Sequence, residues 1–143
     1  MSKIFLQDSF KEFCEINNFE VNDQQVKIIN SLEKFLNYRE SILSRFIKRQ
    51  ERLCFYLHGA VGVGKTMLLN FAFERLKIKK LRQHFNEFMI NFHDFRHKKK
   101  DNNTIIAFVK ELKKKYDLIY LDEFQVTNIV DAMILGKLFE VIF

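Results

Sequence analysis

LCFYLHGAVGVGKT, running from Leu53 to Thr66, joins a short apolar run to a glycine-rich turn that ends in Lys-Thr. Five consecutive apolar or aromatic residues, Leu53 to Leu57, predict a strand buried on both faces. Met67, Leu68, Phe71 and Ala72 recur at helical spacing after the turn, which predicts a helix from Lys65 to about Leu76. Strand, turn and helix are the setting of a phosphate loop, and the pattern G-x-x-x-x-G-K-[ST] is met by Gly59, Gly64, Lys65 and Thr66. Each residue type has its own reason. Glycines let the backbone curl so that successive N–H groups converge on phosphate oxygens. The helix adds the donors and the positive dipole end of its first turn. Lys65 is expected to reach the β and γ phosphates, and the Thr66 hydroxyl to ligate Mg²⁺. The expected nucleotide contacts are Gly59, Ala60, Val61, Gly62, Val63, Gly64, Lys65 and Thr66.

A phosphate loop works with a carboxylate at the end of a neighbouring strand. Leu118 to Leu121 is an apolar run that ends in Asp122 and Glu123. Asp122 is placed to hold the Mg²⁺ shell, and Glu123 to orient or deprotonate the attacking water. Lys65 and Glu123 are thus the expected catalytic residues, and Thr66 and Asp122 the expected metal ligands.

Around these motifs, strands alternate with helices. Phe5, Phe10, Phe13 and Ile16 fall near helical spacing. Asn22 or Asp23 can cap a second helix carrying Val26, Ile29, Leu32, Phe35 and Leu36, which is expected to run past Ile42, Leu43 and Phe46, with room for a break near Asn37, and to end in the charged stretch Lys48 to Arg52. Leu81 to Phe88 alternates like a strand. Met89 to Phe95 and Thr104 to Lys114 read as helices around the polar loop HKKKDNN, Asp117 to Leu121 as a buried strand, and Ile129 to Phe143 as a closing helix. The order predicts a parallel α/β sheet. The division expected is an N-terminal helical lead-in over 1–52 and a nucleotide-binding core over 53–143.

Composition narrows the class. At 48% hydrophobic and 29% charged residues the chain reads as globular, and its apolar runs are too short and too charged for a transmembrane segment. The N-terminus, MSKIFLQDSFKEFCE, is acidic too early for a secretory or mitochondrial leader, so the expected location is cytoplasmic. Cys14 and Cys54 lack metal-ligand spacing and are expected as buried reduced thiols. A net charge of +6 raises a nucleic-acid partner. The lysines, however, are dispersed over 77–80, 98–100 and 113–115, and the expectation is solvated surface with no nucleic acid bound. His93 and His97 lie one helical turn apart but lack the glutamate of a zinc protease motif, so a solvated pair is expected. His58 is expected to pack or to bond backbone, and Phe71, Phe73, Phe85, Phe88, Phe92 and Phe95 to build core. Gln125 and Thr127 fit two roles equally, facing the γ-phosphate or capping the last helix.

The stretch LDEFQVTNIVDAMILGKLFE, Leu121 to Glu140, resembles the signature of the ZapE-type AAA+ ATPases, which pair bacterial cell-division ATPases with mitochondrial relatives. Against the family pattern DEFQVTDIADAMILGRLF, Asn128 replaces an Asp, Val130 an Ala and Lys137 an Arg. HFNEFM, His84 to Met89, is similar to the family's HFHRFM, and Asp23 to Gln25 to its N-terminal Asp/Gln helix start. The resemblance implies an α/β P-loop NTPase (AAA+) fold, a parallel sheet flanked by helices, with ATP and Mg²⁺ as cofactors. It further implies a homo-oligomeric ring in the full-length family and a cell-division protein as partner. Family members continue with a sensor strand, an arginine finger and a helical lid beyond the stretch matched here. The expectation is therefore a C-terminally truncated or split-gene product that binds ATP with impaired hydrolysis. A helicase-loader type of ATPase and a non-catalytic remnant are the competing readings.

Overall fold

A computed structural model of the chain describes residues 4–37, 54–59, 62, 64–99 and 103–143. They fall into two compact units that divide after Leu76. The first contains α1 (Gln7–Ile16), α2 (Asp23–Asn37) and α3 (Lys65–Arg75). The second contains β1 (Lys80–His84), α4 (Phe85–Lys98), α5 (Thr104–Lys115), β2 (Leu118–Asp122) and α6 (Ile129–Ile142).

In the first unit, Leu6, Phe10 and Cys14 recur every four residues and make one buried stripe. It meets Ile29 and Leu32 of α2 and Leu68, Phe71 and Ala72 of α3. Phe71 is the hub, with the Phe10 ring edge-on at 5.2 Å and the Arg75 guanidinium 3.6 Å above its centroid. Of the four residues at helical spacing, Phe10 is buried and Phe13 packs against the cluster. Phe5 and Ile16 stay exposed, because the buried face of α1 is set by Leu6 rather than Phe5. No residue beside α1 caps it. Instead the Glu33 carboxylate, from α2, accepts from the N–H groups of Leu6 and Gln7 at 2.7 and 3.2 Å. Asn37 exchanges two bonds with the backbone of Ile4. Asn22 caps α2, its side chain accepting from the Gln24 N–H at 2.8 Å.

The second unit has a parallel pair, β1 beside β2, with Lys80 opposite Leu118 and His84 opposite Asp122. Parallel strands require a long crossover, supplied here by α4 and α5. Phe85, Phe88, Met89 and Phe92 of α4 pack on Phe108 and Val109 of α5 and on Ile134, Leu135 and Leu138 of α6. Phe108 receives the rings of Phe88, Phe92 and Phe95 edge-on at 5.2–5.7 Å.

Three expectations change. The strand predicted over Leu81 to Phe88 stops at His84, because Phe85, Phe88, Met89 and Phe92 sit at helical spacing and bury as one face of α4. β2 is half-buried throughout, not fully buried. Residues 54–57 of the predicted LCFYL strand are not paired into a sheet, and Cys54 and Tyr56 are exposed. An apolar run becomes a strand only where a neighbour supplies hydrogen bonds, and the ladder seen among the described residues joins β1 to β2 alone. Leu53, the helix extension through Ile42, Leu43 and Phe46, and the stretch Lys48 to Arg52 lie outside the described residues. Cys14 is buried as expected and Cys54 is not. No helix among the described residues is long and apolar enough to cross a membrane.

Candidate functional site

The candidate residues divide into a glycine-rich half in the first unit and an acidic half in the second. In the first, α3 starts at Lys65 and its N-cap, Gly64, makes no side-chain bond to the first turn, the end of a helix at which anions are stabilised. Gly62 and Gly64 have φ of +86° and +79°, a region that costs a residue with a Cβ but not glycine. The Lys65 ammonium folds back over the turn and donates to the Gly59 carbonyl at 2.8 Å. Thr66 is exposed beside it. Ala60, Val61 and Val63 lie outside the described residues. One further residue belongs to this turn. A Cβ on Gly64 would lie 3.0 Å from Nε2 of Gln25, so the start of α2 leans on the loop. The Asp23 to Gln25 similarity was the signal for it.

The acidic half forms where β2 ends. Residues two apart on a strand share a face, which groups Tyr120 with Asp122 and, on β1, Arg82 with His84. Arg82 lies opposite Tyr120 in the register, passes its guanidinium 5.2 Å from the Tyr120 ring, and bonds Oδ2 of Asp122 at 2.8 Å. Oδ1 of Asp122 accepts the Glu123 N–H at 3.1 Å. Burial works against the charged form of Asp122. The bond and charge of Arg82 and the Glu123 N–H outweigh it, holding the carboxyl below its usual range. The Tyr120 hydroxyl is pushed up to about 12, first by burial and then by the negative charge of Asp122. Glu123 itself is 77% exposed, with φ of +50°, a left-handed conformation uncommon for glutamate, and its carboxylate is 3.8 Å from Nδ1 of His84. Arg82 was not singled out by the sequence, although its spacing from His84 marks the shared face.

The residues set aside earlier also find places. Asn128, not Gln125 or Thr127, caps α6: its side chain accepts from the Asp131 N–H at 2.8 Å and donates back to the Asp131 carboxylate at 2.6 Å. A cap must sit immediately before the first turn, which excludes the two earlier residues. His93 bonds Asp131 at 3.2 Å, tying α4 to α6, while His97 is exposed. His58 is exposed and stacks on Tyr56 at 5.8 Å, a packing contact of the kind expected. Among the lysine runs, Lys113 donates to the Ile142 carbonyl at the end of α6, and Lys115 pairs with Glu111 one turn away.

Comparison with known proteins adds the lineage. Residues 6–143 match the family model of AFG1-like ATPases. The chain is 34% identical over 133 residues to lactation elevated protein 1 homolog B of Danio rerio, covering 84% of this chain and 26% of that protein. It is 33% identical over 90 residues to the cell division protein ZapE of Escherichia coli (strain K12), covering 62% of this chain and 24% of that protein. The chain thus spans only a quarter of the length of these curated relatives. No solved structure matches. The family match over residues 6–143, together with the ZapE relative, shows that the chain belongs to the AFG1-like ATPase family, the ZapE-type AAA+ proteins.

Proposed function

We propose that the chain binds ATP with Mg²⁺ and carries the residues for its hydrolysis, as a P-loop module of the AAA+ type. The observation that carries this reading is the Lys65 ammonium drawn over a positive-φ glycine turn at the start of α3. Among the described residues, the same turn leaves open space where a Cβ at Gly62 would stand, room for an oxygen-rich ligand to approach the backbone. The donors fit the metal as well. Mg²⁺ in nucleotide sites takes one or two protein oxygens and completes its shell with water and phosphate. Thr66 and Asp122 supply hard oxygens of this kind, and the pairing that keeps Asp122 ionised favours the role.

In this reading Gly59 to Thr66 wrap the phosphates and Lys65 bonds the β and γ groups in place of the Gly59 carbonyl. Asp122 and Thr66 hold the cation, whose charge offsets that developing on the transferred phosphoryl group. Glu123, exposed at the strand end, orients and deprotonates the attacking water. Residues 1–52 are the helical lead-in and 53–143 the nucleotide-binding core of a cytoplasmic protein that works as a homo-oligomeric ring. A cell-division protein is the partner class, by likeness to ZapE, and nucleic acid is not a ligand.

Mg-ATP binding and turnover by the purified chain test this, with Lys65→Ala and Glu123→Gln. Binding lost in the first and retained without turnover in the second is the expected pattern. Equal ATP affinity in wild type and Lys65→Ala would remove the basis of the reading.

A further inference from the structure

Arg82 is a charged partner of Asp122 that neither the motif nor the family match assigns. It reaches diagonally from the Tyr120 position of the register to Oδ2 of Asp122, a charge-assisted bond of 2.8 Å. Oδ1 is held by the Glu123 N–H, so both oxygens of the carboxylate are engaged. The Asp122 side chain is only 14% exposed, while Arg82 is 39% exposed and has solvent to swing into. A metal shell that recruits Asp122 must therefore either displace the guanidinium or tolerate a positive charge against the same carboxylate.

We infer that Arg82 is a placeholder cation: it neutralises and orients Asp122 when no metal is bound, and it weakens the coupling between Mg²⁺ and nucleotide. The inference rests on the assignment of Asp122 to the metal shell made under Proposed function. In the empty site Arg82 stops the adjacent Asp122 and Glu123 carboxylates from standing as an uncompensated acidic pair. With Mg²⁺ bound, Asp122 would turn its carboxylate from the guanidinium to the cation's shell, and Arg82, 39% exposed, would move toward solvent. Arg82 is a positioning residue, since it acts on Asp122 and touches neither nucleotide nor metal.

The readout is the factor by which Mg²⁺ tightens binding of the non-hydrolysable analogue AMP-PNP, measured as the ratio of dissociation constants in EDTA and in Mg²⁺. Removing a unit charge a few ångströms from a divalent ion in a partly solvated site should raise that factor on the order of fivefold in Arg82→Gln. Arg82→Met, which keeps the stem against Tyr120, should do the same. Arg82→Lys should stay near wild type, and affinity in EDTA should be unchanged in all three. An unchanged or reduced factor in the charge-removing variants would overturn the inference. Asp122→Asn separates the two claims. If it lowers the factor while Arg82→Gln leaves it alone, only the placeholder role fails. If Mg²⁺ has no effect in wild type, or Asp122→Asn has none, the metal assignment fails and Arg82 with it.

Discussion

Replacing Gly64 by alanine tests the loop geometry directly. At φ of +79° a Cβ meets the backbone unfavourably, and a left-handed residue costs about 1–2 kcal/mol. The added methyl would also stand 3.0 Å from the Gln25 carboxamide nitrogen. That atom ends a flexible side chain, so Gln25 can withdraw at about 0.5 kcal/mol, the scale of a strained rotamer. Gly64→Ala should therefore lower unfolding free energy by about 1.5–2.5 kcal/mol. Gly62→Ala separates the contributions, because its φ is +86° but no atom of the described residues lies within 4 Å of its Cβ. It should cost only the backbone part, about 1–2 kcal/mol. Urea denaturation of both variants, with Gln25→Ala alone and combined with Gly64→Ala, gives a double-mutant cycle whose coupling reports the Gln25 contact. Unfolding midpoints for Gly64→Ala matching wild type would refute the positive-φ loop. A cost for Gly62→Ala exceeding that for Gly64→Ala would refute the contribution of Gln25.

The other predictions concern the supports of the two halves. Phe71→Ala, at a ring 2% exposed among Phe10, Phe13 and Arg75, should cost about 3–5 kcal/mol by chemical denaturation. Asn128→Ala removes the α6 cap and should cost about 1 kcal/mol in the same assay, with amide exchange accelerated in the first turn of α6. The folded state lowers the pKa of Asp122, so its contribution to stability is full above the unfolded carboxyl pKa and is lost as pH falls through the folded value. Acid titration of the urea midpoint should show that loss in wild type and lack it in Asp122→Asn. Tyr120 has the opposite sign: raised from 10.0 to about 12, it stabilises the fold below pH 10 and loses that contribution as pH climbs toward 12. The step of tyrosinate absorbance near this upper limit should be missing in Tyr120→Phe, which leaves the other three tyrosines in place.

Where the determining interactions are local, the sequence already contained the answer. The helices over 23–37, 104–115 and 129–142 close their hydrogen bonds within four residues, so apolar spacing of three and four located them. The Gly-Lys-Thr turn and the Asp-Glu pair stood out as candidates for a similar reason: phosphate and metal chemistry demand particular residue types at short, fixed spacing. Tertiary structure decided whatever needs a partner from elsewhere in the chain. It pairs Leu118–Asp122 with Lys80–His84 and gives residues 54–57 no place in that ladder, since a strand's hydrogen bonds belong to its neighbour. It brings Glu33 to the start of α1 across 27 positions, Gln25 to the Gly64 turn, and Arg82 to Asp122 across 40 positions. No periodicity encodes such contacts. Residue type identified the groups that could do the chemistry, and only the folded chain set the charges and bonds that each one meets.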